Sequence, residues 1–216
     1  MKCHCCGTDN DEKAKLCSYC IQPLHRSTVG AKGKSWPANT AIKVASEIVE
    51  MLKPVCTRIV VAGSLRREKP VVGDIEILFI PQTVDRPDGF FDTKSVNLAD
   101  ELIEQKLAEG YFAKRPGATG VFAWGKSNKL GIHTKSGIHT DLFATNEENW
   151  HVSLVIRTGS KETNLRLTTG ANKLNRTLLA YGCGVKDRAT GEAIRAKSEE
   201  DVFKLCGVPY LPPDKR

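Results

Sequence analysis

The run Asp74-Ile75-Glu76-Ile77-Leu78-Phe79-Ile80 constrains this chain more than any other segment. Its β-branched and aromatic content predicts a strand over roughly 74–80, closed by Pro81. Side chains two apart on a strand share a face. Asp74 and Glu76 therefore point one way, and Ile75, Ile77 and Phe79 the other. The apolar face suits packing against a helix. The acidic face poses a problem, because neighbouring carboxylates repel and their burial without partners is costly. Two solvated acids at a strand end would meet the pattern. So would acids gathered on a divalent cation, since hard oxygen ligands suit Mg²⁺.

The flanking segments weigh on that choice. Residues 40–52 repeat apolar side chains on one helical face (Ala41, Val44, Ala45, Ile48, Val49, Leu52), with Asn39 or Thr40 as the expected cap. RIVVAGS, 58–64, predicts a strand, and Gly63-Ser64-Leu65-Arg66-Arg67 closes it. A Gly-Ser turn brings backbone N–H groups close to phosphate oxygens, and two arginines supply charge-assisted contacts. Residues 82–94 read as a loop, Ser95 to Glu109 as a second amphipathic helix, and 120–145 as three strands (VFAWG, GIHT, GIHTDLFAT). The last of these carries a third acid, Asp141. After NEEN comes a short apolar run, HVSLVIRT, then a Lys/Arg-rich helical stretch to about Tyr181 and a Gly-containing turn region. A short helix starts at Ser198-Glu199-Glu200-Asp201, a capping-box pattern. The order predicts an α+β fold with a mixed sheet and a small C-terminal lobe.

The set GSLRR, GDIEIL and a later strand bearing a lone Asp resembles the palm of the DNA polymerase beta-like, family X, nucleotidyltransferases. Residues 40–80 resemble that palm opening throughout. Thr158-Gly159-Ser160-Lys161-Glu162-Thr163-Asn164 is similar to the thumb motif under the incoming nucleotide, and 198–216 to the family's C-terminal segment. The resemblance implies a palm over 40–147 and a thumb over 148–216. It implies two Mg²⁺ or Mn²⁺ ions, with Asp74 and Glu76 on both and Asp141 on the catalytic one. Asp141 would help to deprotonate the primer 3′-OH. Ser64, Arg67 and Gly73 would hold the β- and γ-phosphates, Gly63 would join them in nucleotide binding through the turn, and Arg66 would lie nearer the nucleotide and the sheet. Thr158, Gly159 and Ser160 would lie beneath the nucleotide, and Asn164 would meet a base edge in the minor groove. The implied activity is template-directed DNA polymerisation on a DNA primer–template or gapped DNA with dNTPs. Template-independent or RNA-directed transfer, and a zinc-bearing nucleic-acid binder with a dead palm, are the rival readings.

The chain departs from the family pattern in several places. Glu76 stands where Asp is usual, which opens the question of Mg²⁺ against Mn²⁺. Ile156-Arg157 replaces two aromatics that sense the sugar 2′ position, so weak discrimination between dNTP and NTP is expected. Val72 replaces a phosphate-binding Ser found in some members. The stretch 164–182 is long, which leaves Asn172 or Asn175 as alternatives to Asn164. The 40 residues before the palm are too few for lyase and fingers domains, so no deoxyribose-phosphate lyase activity is expected.

Five of the eight cysteines lie in the first 20 residues. Cys3-x-x-Cys6 and Cys17-x-x-Cys20 have the spacing of a tetrahedral structural zinc site, predicting a zinc knuckle over 1–26 and a linker over 27–39. Cys5 is a spare thiol, and His4 and His25 are fallback ligands. Lys13, Lys15, Arg26, Lys32 and Lys34 would add grip on DNA. Cys56, Cys183 and Cys206 read as small buried hydrophobes. The net charge of +7 favours a polyanionic partner. No apolar run approaches membrane-spanning length and no export signal precedes Cys3. An intracellular, cytoplasmic monomer with no membrane contact is therefore expected.

Overall fold

The computed structural model describes residues 9, 11, 34–89, 92–117, 120–182 and 184–216. The chain enters through β1 (Trp36–Pro37), which pairs with β3 (Val71–Val72). Trp36 packs against the main core, so part of the stretch expected as a linker belongs to that core. Helix α1 (Ala38–Leu52) buries Ala41, Val44, Ala45, Ile48 and Leu52, the predicted face. Its N-cap is Pro37, with no side-chain hydrogen bond, so Asn39 and Thr40 sit inside the first turn and cap nothing.

Strand β2 (Cys56–Val61) is followed by one helical turn, α2 (Gly63–Arg66), which corrects the expected strand over 58–64. Strand β4 (Asp74–Pro81) is the predicted acidic strand. The expected loop over 82–94 is instead a hairpin of β5 (Thr83–Asp88) and β6 (Asp92–Asn97). These strands pair only with each other. Helix α3 (Leu98–Ala108) starts later than expected because Asn97 caps it, accepting from the Asp100 N–H at 3.0 Å.

Strands β7 (Phe112–Lys114), β8 (Asn128–His133) and β9 (Ile138–Ala144) complete the sheet, in the order β2-β4-β9-β8-β7. The β4–β9 pair is parallel and the others antiparallel. VFAWG forms no strand. It makes only isolated bridges, Pro116 to Phe122 and Trp124 to Lys129, and Val121 and Phe122 stay exposed. One sheet face presents Ile75, Ile77, Phe79, Ile138 and Leu142 to α1 and α3.

The C-terminal lobe comprises α4 (Trp150–Thr158), α5 (Lys161–Lys173), an antiparallel sheet of β10 (Arg176–Leu178), β11 (Val185–Asp187) and β12 (Ala193–Ile194), and α6 (Glu199–Leu205). The apolar run at 151–158 is thus a helix. The expected helix to about Tyr181 ends at Lys173, and the region read as turns contains a small sheet. Ser198 caps α6 as predicted, accepting from the Asp201 N–H at 3.1 Å. Gly170 lets α5 approach the Cys206 carbonyl; a Cβ there would sit 2.1 Å from that oxygen. Among the described residues, no helix is long and apolar enough to cross a membrane.

Candidate active site

The second face of the sheet is divided along its length. Towards the ends of β4 and β9, Leu78, Ile80 and Phe143 pack under Trp150 and Leu154 of α4. Towards their beginnings the same face carries the acids. Strand register sets Glu76 opposite Asp141 and Asp74 opposite His139. Parallel register partners share a face, so the sheet itself brings Asp74, Glu76 and Asp141 together, as their sequence positions alone could not.

This placement strains the carboxylates electrostatically. Burial, reinforced by the charge of Asp74, raises the Glu76 carboxyl to about 8. Burial raises Asp141 to about 6 although the Arg115 guanidinium opposes it. Asp74 is raised for the same reason, with Arg115, His139 and Arg67 pulling it down. Like charges crowded into a partly desolvated site favour protonation, and a divalent cation would remove the repulsion. Among the described residues, however, no three His, Cys, Asp or Glu side chains converge closely enough to hold a metal as they stand. Asp141 is engaged elsewhere: Arg115 Nη2 lies 2.6 Å from both of its carboxylate oxygens. The donor set fits hard divalent ions in chemistry and in strand position, with the Asp141 carboxylate turned to Arg115.

The Gly63–Arg67 turn sits against the acids. Gly63 has φ +63°, and a Cβ there would fall 2.1 Å from Glu76 Oε2. Its missing side chain is the space that the Glu76 carboxylate fills. Ser64 Oγ and Arg67 Nε are buried without hydrogen-bond partners. Such orphaned polar atoms suit an anionic ligand, as the phosphate expectation requires. Space opposite Gly73 is open. Val72 is buried in the core and offers no polar contact.

Arg66 is bonded within the chain. Its Nη1 donates to Thr158 Oγ1 at 2.7 Å and to Glu199 Oε2 at 3.0 Å, and its Nη2 donates to Glu199 Oε1. Arg216 Nη1 pairs with the same carboxylate at 2.8 Å. Burial alone would raise Glu199, but hydrogen bonds and charge from Arg66 and Arg216 bring it below its ordinary value. This network ties the main sheet unit to the C-terminal lobe. Arg67 Nη1 donates to the Thr158 carbonyl, and a Cβ on Gly159 would come within 3.0 Å of that nitrogen. The Gly159–Ser160 peptide is cis, and Ser160 caps α5.

Arg157 lies over the Phe143 ring at 3.7 Å and the Tyr181 ring at 5.0 Å, and donates to the Tyr181 hydroxyl. Asn164 Nδ2 donates to the Ile156 carbonyl at 2.8 Å, while its Oδ1 is buried without a partner. Asn172 lies eight residues further along α5, about 12 Å by helical rise, and is bonded by Arg188. Asn175 follows the helix in a left-handed conformation.

Arg115, Tyr181, Glu199 and Arg216 take part in or support the site without having been singled out from the sequence. Arg115 sits just past a strand that the pattern missed, in a Lys-Arg-Pro-Gly run that reads as a turn. Cys3, Cys5, Cys6, Cys17, Cys20, His4 and His25, and with them the expected zinc site, lie outside the described residues, as does Cys183. Cys56 and Cys206 are buried free thiols, each raised to about 12 by burial, and behave as the small hydrophobes expected.

A family model, DNA polymerase beta thumb, matches residues 153–216. The DNA polymerase/3′-5′ exonuclease PolX of Bacillus subtilis (strain 168) is 27% identical over 190 residues. That match covers 87% of this chain and 29% of the relative, so the chain spans under a third of that protein's length. Among solved structures, the Leishmania infantum polymerase beta ternary P/T complex aligns with a TM-score of 0.64 at 18% identity, covering 85% of this chain and 77% of that one. The ternary gap complex of the same polymerase aligns with a TM-score of 0.64 at 17% identity, covering 85% and 71%. The mixed α+β architecture is therefore that of a polymerase beta palm and thumb.

Proposed function

We propose that this chain, a relative of the DNA polymerase beta-like family X polymerases, extends a DNA primer 3′-OH against a template, acting on short gaps. The observation that carries this reading is the register of Glu76 opposite Asp141, with Asp74 two residues before it on the same face. Beside it, the orphaned polar atoms of Ser64 and Arg67 offer a phosphate cradle.

Asp74 and Glu76 would hold two divalent ions, and Asp141 would hold the catalytic one. When bound, the ions acidify that hydroxyl and neutralise the triphosphate and the leaving pyrophosphate. The chain's own groups do the rest. Asp141, largely withdrawn from water beside the other two acids, is the group placed to take the 3′-OH proton. Ser64 and Arg67 orient the β- and γ-phosphates for in-line attack. Thr158, buried and bonded by Arg66, fixes the thumb edge against the palm. Asn164, at the start of α5, would read the minor-groove edge once its bond to the Ile156 carbonyl opens. Cys3, Cys6, Cys17 and Cys20 would hold one structural zinc whose head adds hold on DNA.

The test compares extension of a labelled primer on a one-nucleotide gap, on an open template and without template. Gap-dependent addition of the complementary nucleotide supports the reading. Efficient untemplated addition would replace it with terminal transfer.

A further inference from the structure

Arg115 occupies Asp141 in an unusual way. A single nitrogen, Nη2, stands 2.6 Å from both Oδ1 and Oδ2. It therefore straddles the carboxylate where a cation bound to both oxygens would sit, instead of forming the two parallel bonds of a guanidinium fork. Both side chains are largely withdrawn from water, at 16% and 9% exposure. Little else holds the guanidinium. Its Nη1 makes a long 3.4 Å bond to the neighbouring Pro116 carbonyl, and its Nε is buried without a partner. Arg115 lies just past β7, its backbone N–H donating to the Leu130 carbonyl of β8 at 3.0 Å, so the sheet edge fixes its backbone while its guanidinium rests mainly on Asp141.

We propose that Arg115 is a resident cation that competes with divalent metal for Asp141, holding the acid in the metal-free chain and leaving it when metal binds. This rests on reading Asp74, Glu76 and Asp141 as the metal site. Arg115 then sets the metal requirement. It offsets charge repulsion among the acids before metal arrives, and it weakens binding at the Asp141 position by the free energy of its own contact. A charge-assisted bond in a partly buried site corresponds to about a tenfold change or more in affinity.

The experiment is a titration of the full, metal-stripped chain with Mn²⁺ alone, with free ion counted by electron paramagnetic resonance. Wild type, Arg115→Gln, Arg115→Lys and Asp141→Asn are compared. The expected result is a wild-type site lost in Asp141→Asn, bound about tenfold more tightly in Arg115→Gln and to an intermediate degree in Arg115→Lys. In wild type, the Arg115 side-chain Nε–Hε signal should also move on saturation with Mg²⁺, a readout that does not depend on any variant folding. An Asp141-dependent site that is no tighter in Arg115→Gln, or an Arg115 signal unmoved at Mg²⁺ saturation, overturns the competition while leaving the metal site intact. Mn²⁺ binding by wild type, Arg115→Gln and Arg115→Lys that does not exceed that of Asp141→Asn overturns both.

Discussion

Gly63 and Glu76 are shaped to each other: the Glu76 carboxylate occupies the volume that any side chain at 63 would need. A Gly63→Ala substitution meets both a left-handed backbone and that carboxylate. It should cost about 1–3 kcal/mol of stability and, by displacing Glu76, about 100-fold in extension rate. Thermal unfolding and single-nucleotide extension check the two effects separately. Unchanged activity would mean that Glu76 is not positioned by this turn.

The carboxylates predict a pH dependence of stability in the absence of metal. A folded-state pKa raised above the unfolded value means that the native state holds the proton more tightly. The contribution of Glu76 is fully present below about 4.5 and is lost as pH rises towards about 8. Asp141 acts in the same direction between 3.8 and about 6. In chelator, the melting temperature should fall from pH 5 to pH 8, and Glu76→Gln should flatten the upper part of that fall. A wild-type curve that rises over this range would show that the acids are not strained.

Arg66, Glu199 and Arg216 predict a coupling between lobes. Glu199→Ala leaves a fully buried Arg216 side chain and most of Arg66 without a counter-charge. Breaking such a pair from one side costs about 3–5 kcal/mol. Urea denaturation measures it, and a loss below about 1 kcal/mol would remove the network from the account of how thumb and palm are held.

Discrimination between sugars should be weak. Ile156 is aliphatic, and Arg157 is engaged with Phe143 and Tyr181. Competing dNTP and NTP in single-nucleotide extension should give kcat/KM values within about tenfold. A dNTP preference of about a thousandfold would show that another group guards the 2′ position.

Much of this was legible because it is local. Alternation placed Asp74 and Glu76 on one face, Gly-Ser-Arg-Arg announced a turn next to them, and Ser198-x-x-Asp201 is a cap readable within four residues. The hairpin β5–β6 was not legible, since its polar, exposed residues pair only with each other and leave no hydrophobic period. VFAWG misled in the opposite sense: its apolar residues suggest a strand, yet Val121 and Phe122 face solvent between glycines. The Arg66–Glu199 tie joins residues 133 positions apart. Arg115 had no pattern to mark it, because its role comes only from the sheet edge that brings it to Asp141.

The proposed nucleotidyl transfer is seated on Asp74, Glu76 and Asp141. The decisive measurement is extension of a labelled primer on gapped DNA by wild type, Asp74→Asn and Asp141→Asn, with Mg²⁺, with Mn²⁺ and with chelator. Each variant is first verified as folded by its melting curve. The account predicts metal-dependent addition by wild type and a loss of about 1,000-fold or more in each variant. Extension that survives either substitution, or proceeds in chelator, would contradict it.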